Sequence, residues 1–392
     1  MHQSRYTMHK RRIVVITGTR AEYGLLYGTM RELQRLPVDL HLIVTGAHLS
    51  PSHGMTVKQI EADGFPISAK VDIELQHDRP VDITRSMGIG LAGIGEALDK
   101  IKPDLTVILG DRYEMLAAAA ACAMLNIPIA HICGGEITEG AIDDLLRHAI
   151  TKLSYWHFAE AEAYAKRIVQ LGEEPSRVFT VGAPGIDSIV KLPLLSRETL
   201  EKELGVALVS PVILFTYHPE TLSTVSADEQ IRCVIEALDS FPEATLLITG
   251  ANADTGGQRI NQEMQAFAQK RARTVFRLSF GSLLYLSAMR EADVVVGNSS
   301  SAVIEAPVMG KATVNIGNRQ TGRLRSPSII DCDCNTQEII KGIRLALSSE
   351  FQKSLKPSAL FGIPGTVAPK IAELLATLPL PTSLRKPFYD LA

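Results

Sequence analysis

Five short segments concentrate the residues of this chain that could do chemistry. Gly18-Thr19-Arg20-Ala21-Glu22-Tyr23-Gly24 sets an arginine at the mouth of a turn. Gly110-Asp111-Arg112-Tyr113-Glu114 follows the apolar run Val107-Ile108-Leu109. His131-Ile132-Cys133-Gly134-Gly135-Glu136 leads to Asp143 and Asp144, with Arg147 and His148 behind them. Tyr217-His218-Pro219-Glu220-Thr221 fixes a histidine before a proline. The fifth runs from Ala292 to Arg323: a Val294-Val295-Val296 run, a Gly297-Asn298 break, then Ser299-Ser300-Ser301 where a helix would begin. A strand, a small-residue turn and a helix start aim free N–H groups and the helix dipole at one point, which suits an anion. Glu305 lies one helical turn further in and could accept from a sugar hydroxyl, while Arg319 offers a cation to the same rim. Glu136, in a glycine-flanked loop, is free to enter a cleft where lost hydration would raise its pKa towards acid/base use. Blander roles exist for several of these groups: a Gly-Asp pair caps helices, and Asp143 and Asp144 would each favour a helix N-terminus.

Together, Arg20, Arg112, His218, Arg319 and the serine turn supply donors for anionic oxygens, and Asp111, Glu136, Asp143 and Asp144 supply proton traffic. Cations with helix ends suit a diphosphate, and the carboxylates suit proton removal and delivery on a sugar. The first turn is not GxGxxG and the chain contains no GxxxxGK[ST], which argues against a dinucleotide redox enzyme or a P-loop NTPase. Cys332-Asp333-Cys334 is a CxC with no second ligand pair at zinc spacing, so no metal is expected.

The elements that must position these groups alternate. Ile13–Thr17, Leu40–Thr45, Ile67–Ile73, Leu105–Leu109, Ile127–Ile132, His157–Ala159 and Val178–Val181 read as apolar strands with helical stretches between them. The stretch from Asp82 to Ile101 is helical despite Gly88, Gly90, Gly93 and Gly95, which implies close packing against a neighbour. A second alternation has strands at Val212–Tyr217, Thr245–Thr249, Thr274–Arg277, Val294–Val296 and Ala312–Ile316. Its helices run Asp228–Leu238, Arg259–Gln269, Ser282–Arg290, Ala302–Met309 and Thr336–Leu347. The pattern gives an α/β chain with two Rossmann-like domains facing a cleft, each a parallel sheet with ligands at its strands' carboxyl ends. The expected divisions are a basic leader at 1–11 without fixed structure, a first domain at 12–185, a second at 186–365, and a terminal helix and tail at 366–392.

At 392 residues with 46% hydrophobic content, the chain can bury two full cores. A net charge of −3 argues against nucleic acid or an anionic membrane as main partner, and no apolar run is long enough to span a bilayer. The leader Met1–Arg12 precedes only four apolar residues, too few for a secretory signal, and Met8 is a second candidate start. Five scattered cysteines, an odd number, fit a reducing, cytoplasmic setting.

Taken as a set, TGTRAEYG, LGDRYE, HICGGEITEGAIDD with RHAITKLS, YHPETLS, NADTGG and GNSSSAVIE with GNRQTGR resemble the hydrolysing UDP-N-acetylglucosamine 2-epimerases of bacterial sialic acid synthesis. The resemblance runs from about Ile13 to the Pro387-Phe388-Tyr389-Asp390 tail. It implies a GT-B-like fold whose C-terminal helix packs back on the first domain, a UDP-sugar held in the cleft, no cofactor or metal, and a homodimer or homotetramer. It further implies proton transfer by Asp111, Glu136 and Asp143 or Asp144, and diphosphate stabilisation by His218 with Arg112, Ser299 and Ser300. Glu305 would hold the ribose, with Arg20, Gly24, Asn252 and Arg319 on the nucleotide side. In the implied reaction C2 loses a proton as UDP leaves C1, giving 2-acetamidoglucal; water and a proton then add to release N-acetylmannosamine. Non-hydrolysing relatives carry glutamate where this chain has Cys133, which throws the acid/base role onto Glu136 and leaves Cys133 as filler. Three alternatives stay open: the sister enzyme acting on UDP-2,4-diacetamido-2,4,6-trideoxyglucose for legionaminic acid, a non-hydrolysing epimerase, and a UDP-sugar-binding regulator without turnover.

Overall fold

The computed structural model describes residues 10–75, 79–139, 141–220, 225–252 and 256–391. Residues 1–9 with Met8, Thr221, and parts of the HICGGEITEGAIDD, YHPETLS and NADTGG motifs lie outside them. Seven parallel strands form the first sheet: β1 (Arg11–Thr17), β2 (Val38–Thr45), β3 (Ile67–Val71), β4 (Leu105–Leu109), β5 (Ile129–Ile132), β6 (Trp156–Ala159) and β7 (Val178–Thr180). Their order is β3-β2-β1-β4-β5-β6-β7. Six parallel strands form the second: β8 (Val212–Thr216), β9 (Thr245–Thr249), β10 (Thr274–Arg277), β11 (Val294–Gly297), β12 (Ala312–Ile316) and β13 (Ile329–Cys332), ordered β10-β9-β8-β11-β12-β13. Strands β4, β5, β8, β9 and β12 are buried along their whole length, as sheets covered by helices on both faces require. Strand order reverses between β1 and β4 and again between β8 and β11. The loops leaving those four strands carry Arg20, Asp111, His218 and Ser299, so topology alone gathers the candidate residues at two crevices.

Three local departures have physical causes. Arg11 belongs to β1 rather than to a leader, because its guanidinium donates to the carbonyls of Leu375 (2.6 Å) and Leu378 (2.6 Å) at the end of the terminal helix. The expected helix Ala302–Met309 is two short pieces, Ser300–Val303 and Glu305–Val308. Pro307 has no N–H for the Val303 carbonyl and its ring crowds that group, so the first piece stops there. Strand β13 went unread because it is only partly buried and carries Asp331, leaving no apolar run.

The terminal helix Val367–Thr377 packs on the helix Arg20–Arg35 of the first domain. Its first turn is met by the Asp187 carboxylate, which accepts from the N–H groups of Gly365 (2.6 Å) and Ala368 (2.6 Å). The tail continues over the same domain, where Lys386 donates to the carbonyls of Lys152 and Ser154 and to Glu173. In the glycine-bearing helix, now Pro80–Ile101, Gly90 and Gly93 sit against Ile73 and Val71, the close approach their spacing implied.

Candidate active site

Between the domains lies a cavity of about 180 Å³. The first domain contributes Arg20, Gly24 and Leu25, and the second contributes His218, Asn252, Ser299, Ser300, Ser301 and Glu305. Segment Ser279–Ser282, with Tyr285, closes a further side. Seven sequence-selected residues are therefore brought to one cavity, from both domains: Arg20, Gly24, His218, Asn252, Ser299, Ser300 and Glu305.

Local backbone features set this geometry. Gly297 ends β11 at φ +133°, and a Cβ there would fall 1.9 Å from the Thr216 carbonyl oxygen, so β11 and β8 can close only on glycine. Asn298 is fully buried and ties the two strand ends together: its Oδ1 accepts from His218 N (2.7 Å) and its Nδ2 donates to His218 O (2.8 Å). His218 Nδ1 accepts from Asn252 N at 3.1 Å, which places the ring proton on Nε2 as a donor suited to a phosphate oxygen. The Ser299 side chain makes no cap to its own helix, and its hydroxyl can serve a ligand. Glu305 is buried, which raises its carboxyl pKa; its own backbone N–H and the Ser301 hydroxyl partly offset that rise. A Cβ on Gly185 would meet Glu305 Oε1 at 2.1 Å, so the linker runs against this carboxylate. Arg20 donates to Leu278 O at 3.2 Å, and burial lowers its pKa to about 10, which leaves it a cation at neutral pH.

The carboxylates form a separate, adjoining cluster on the first domain. Arg147, almost wholly buried, is its hub: it pairs with Asp111 and with Asp144 (3.3 Å), and donates to Glu136 O (3.2 Å) and Thr138 Oγ1 (3.1 Å). Burial alone would raise the Asp111 pKa, but Arg147, Arg323 and Arg319 outweigh it and hold the carboxyl below its ordinary value. Asp144 also accepts from Thr138 N at 2.6 Å, a structural duty at the start of its helix. Asp143 instead faces Arg319 of the second domain at 3.5 Å. Glu136 pairs with Arg323, and both side chains are buried.

The loop after β12 joins cluster to cavity. Arg319 Nη1 and Gln320 Nε2 donate to Asn298 O at 3.2 and 2.8 Å, while Arg319 and Arg323 reach Asp143 and Glu136. Glu139 N also donates to Thr321 O at 3.2 Å. Asp111, Glu136, Asp143, Asp144 and Arg319 therefore do not line this cavity; they stand behind it, one loop away. Arg112 does not line it either. Its buried guanidinium pairs with Glu114 at 3.2 Å, because two glutamates, Glu22 and Glu114, are buried beside it and claim the charge.

Sequence reasoning missed Glu160 and Arg323. Glu160 directly follows β6, a position of the same kind as Asp111 after β4, and Arg323 closes the quoted GNRQTGR motif; both signals were present. Cys133, Glu136 and Glu160 place a thiol and two carboxylates within 4.8 Å of one another, a donor set a cation could use. The Arg323 guanidinium already meets Glu136 there, so the site's charge is not free for an ion. Among the described residues no helix is long and apolar enough to cross a membrane.

Comparison with known proteins places this architecture. The family model described as UDP-N-acetylglucosamine 2-epimerase matches residues 31–376. A relative from Campylobacter jejuni, GDP/UDP-N,N'-diacetylbacillosamine 2-epimerase (hydrolyzing), is 40% identical over 98% of this chain and 100% of its own. Polysialic acid biosynthesis protein P7 of Escherichia coli is 36% identical over 89% of each chain. The UDP-N,N'-diacetylbacillosamine 2-epimerase (hydrolyzing) of Legionella pneumophila is 36% identical over 94% of this chain and 97% of its own. The crystal structure of UDP-GlcNAc 2-epimerase from Neisseria meningitidis bound to UDP-GlcNAc superposes with a TM-score of 0.78, covering 93% of this chain and 99% of that one; at 18% identity it establishes the shared fold. With two facing parallel-sheet domains of GT-B type and a family match over most of its length, the chain belongs to the UDP-N-acetylglucosamine 2-epimerase family, whose enzymes act on UDP-sugars.

Proposed function

We propose that this protein is a hydrolysing 2-epimerase of a UDP-linked 2-acetamido sugar, with UDP-N,N'-diacetylbacillosamine, the 2,4-diacetamido-2,4,6-trideoxyglucose nucleotide, as substrate. The observation that carries the substrate is the 40% identity, end to end in both chains, with the Campylobacter enzyme of that name. The geometry supports the reaction class. His218 Nε2–H and the Ser299–Ser301 turn would receive the diphosphate as negative charge develops on the leaving UDP, Glu305 would hold the ribose hydroxyls, and Arg20, Gly24 and Asn252 would line the nucleotide. Asp111, kept ionised by Arg147, suits a base; Glu136 and Asp143, each facing a second-domain arginine, suit proton transfer at C2. Asp144, engaged by Arg147 and Thr138, would position these groups. The proton leaves C2 as the C1–O bond breaks, the C–H electrons form the C1=C2 double bond, and UDP departs with the C1–O pair. Water oxygen then bonds C1, its proton passing to a carboxylate, and a carboxylic acid protonates C2 from the opposite face.

UDP-N-acetylglucosamine is the second reading, favoured by the 36% identity with the polysialic acid protein and by the family description. Incubation with UDP-diacetylbacillosamine, its GDP counterpart and UDP-N-acetylglucosamine, with proton NMR of products, tests both. The expected result is free 2,4-diacetamido-2,4,6-trideoxymannose plus UDP. Free N-acetylmannosamine from UDP-N-acetylglucosamine alone would replace the first reading by the second, and an intact nucleotide-linked manno sugar would overturn hydrolysis.

A further inference from the structure

Glu160 has no part in the reaction as set out above, yet it is buried against the acid cluster at 4% exposure. Its Oε1 accepts from the Cys133 thiol at 3.1 Å, and its Oε2 has no hydrogen-bond partner among the described residues. Cys133 Sγ and carboxylate oxygens of Glu136 and Glu160 lie within 4.8 Å of one another. Two carboxylates this close and this dry repel strongly unless cations meet both charges. The groups facing them can be counted. Arg323, from the loop after β12, meets Glu136. Arg147, from the helix Asp143–Leu153, also acts on Glu136, but Asp111 and Asp144 already match its charge, and Arg167 donates to Gly135 O. Tyr164, from the helix Glu162–Gln170, is uncharged and donates no charge to the balance. One guanidinium not matched elsewhere, that of Arg323, thus faces two carboxylates, and a proton makes up the difference.

We propose that Glu136 and Glu160 hold one proton between them, and that Glu160 acts as a positioning residue that sets the protonation state of Glu136 for transfer at C2 of the sugar. The shared proton gives the orphan Oε2 a hydrogen-bond partner. Burial, and then the charge of Glu136, push the Glu160 carboxyl well above the usual carboxylate range, in the same sense. When Glu136 takes the C2 proton, the C–H electron pair goes to the C1=C2 bond and UDP leaves with the C1–O pair. The carboxyl pair then carries two protons and no charge, and Arg323 keeps its own. The role at C2 rests on the epimerase reading; the shared proton does not.

Infrared difference spectroscopy in D2O near neutral pH tests the pair directly. Subtracting Glu160→Gln from the native protein should reveal one carboxylic acid C=O band, and subtracting Glu136→Gln should reveal the loss of that same band, because a single remaining carboxylate is balanced by Arg323 and ionises. Persistence of the band in Glu136→Gln would overturn the shared proton, since Glu160 would then be neutral for its own reasons. In kinetics, Glu160→Gln should lower kcat about 10-fold or more, shift the pH profile of kcat, and leave KM and UDP binding within about 2-fold, with Glu160→Asp recovering part of the rate. An unchanged kcat and pH profile in a folded, UDP-binding Glu160→Gln protein would overturn the positioning role. Failure of the native protein to turn over any nucleotide sugar would remove the epimerase reading, while the infrared result would still decide the pair.

Discussion

Replacing Arg323 by Met removes the guanidinium that meets Glu136 across the domain boundary. The two side chains are 8% and 2% exposed, so water has little access to the stranded carboxylate. Breaking a buried pair by removing one partner leaves an uncompensated charge, and the carboxylate escapes by taking up a proton. That escape caps the penalty. For a glutamate of ordinary pKa, protonation at pH 7 costs about 3.7 kcal/mol, and the cost falls by about 1.4 kcal/mol per pH unit, to about 1 kcal/mol at pH 5. Trp156, the single tryptophan, lies on β6 paired with β5, so its fluorescence in urea denaturation reports the sheet that carries Glu136. Arg323→Met should be destabilised by about 3–4 kcal/mol at pH 7 and about 1 kcal/mol at pH 5. Adding Glu136→Gln should recover most of the pH 7 loss. Equal losses at both pH values, or less than about 1 kcal/mol at pH 7, would refute the reasoning, because Glu136 would then have another partner.

Three further outcomes are expected. Asp111→Asn and Glu136→Gln should each lower turnover by about 10²-fold or more while UDP still binds by calorimetry, and near-native turnover in either would remove that residue from proton transfer. Glu305→Ala should raise the Kd for UDP about 10-fold, as loss of a charged hydrogen-bonding partner does, and an unchanged Kd would take Glu305 off the ribose. Burial lowers the His131 pKa to about 3 and that of His48 to about 4, below the 6.5 of a free imidazole. The folded state then binds fewer protons than the unfolded one, so this stability is full above about pH 6.5 and is lost on acidification, by up to about 1.4 kcal/mol per pH unit for each histidine. His131→Gln should flatten the stability profile between pH 6.5 and 4 in urea titrations, and an unaltered slope would contradict it.

The strands were legible where the chain packs helices on both sheet faces, because such strands must be apolar end to end. Leu105–Leu109, Thr245–Thr249 and Ala312–Ile316, buried along their whole length, have the limits their residue types imply. Where burial is partial the signal fades, as at β13. Helix limits failed where proline chemistry acts over four residues, as at Val303 and Pro307. The cavity wall was legible for the same reason as the strands: Arg20, His218 and Ser299 each follow a recognisable strand, and parallel topology sends those ends to one side.

Residue order therefore decides the alternation of strands and helices, the side on which the loops emerge, and the kinds of groups each loop carries, since these depend on local packing and turn chemistry. Only the folded chain decides which charges meet. Arg319 and Asp143, 176 residues apart, face each other across the cleft, while Arg112 turns to Glu114 rather than to the interdomain cavity. Ion pairing in a dry interior follows distance and burial, and neither is written in spacing along the chain; this is why Arg323 became visible as the partner of Glu136 only once the two sheets stood face to face.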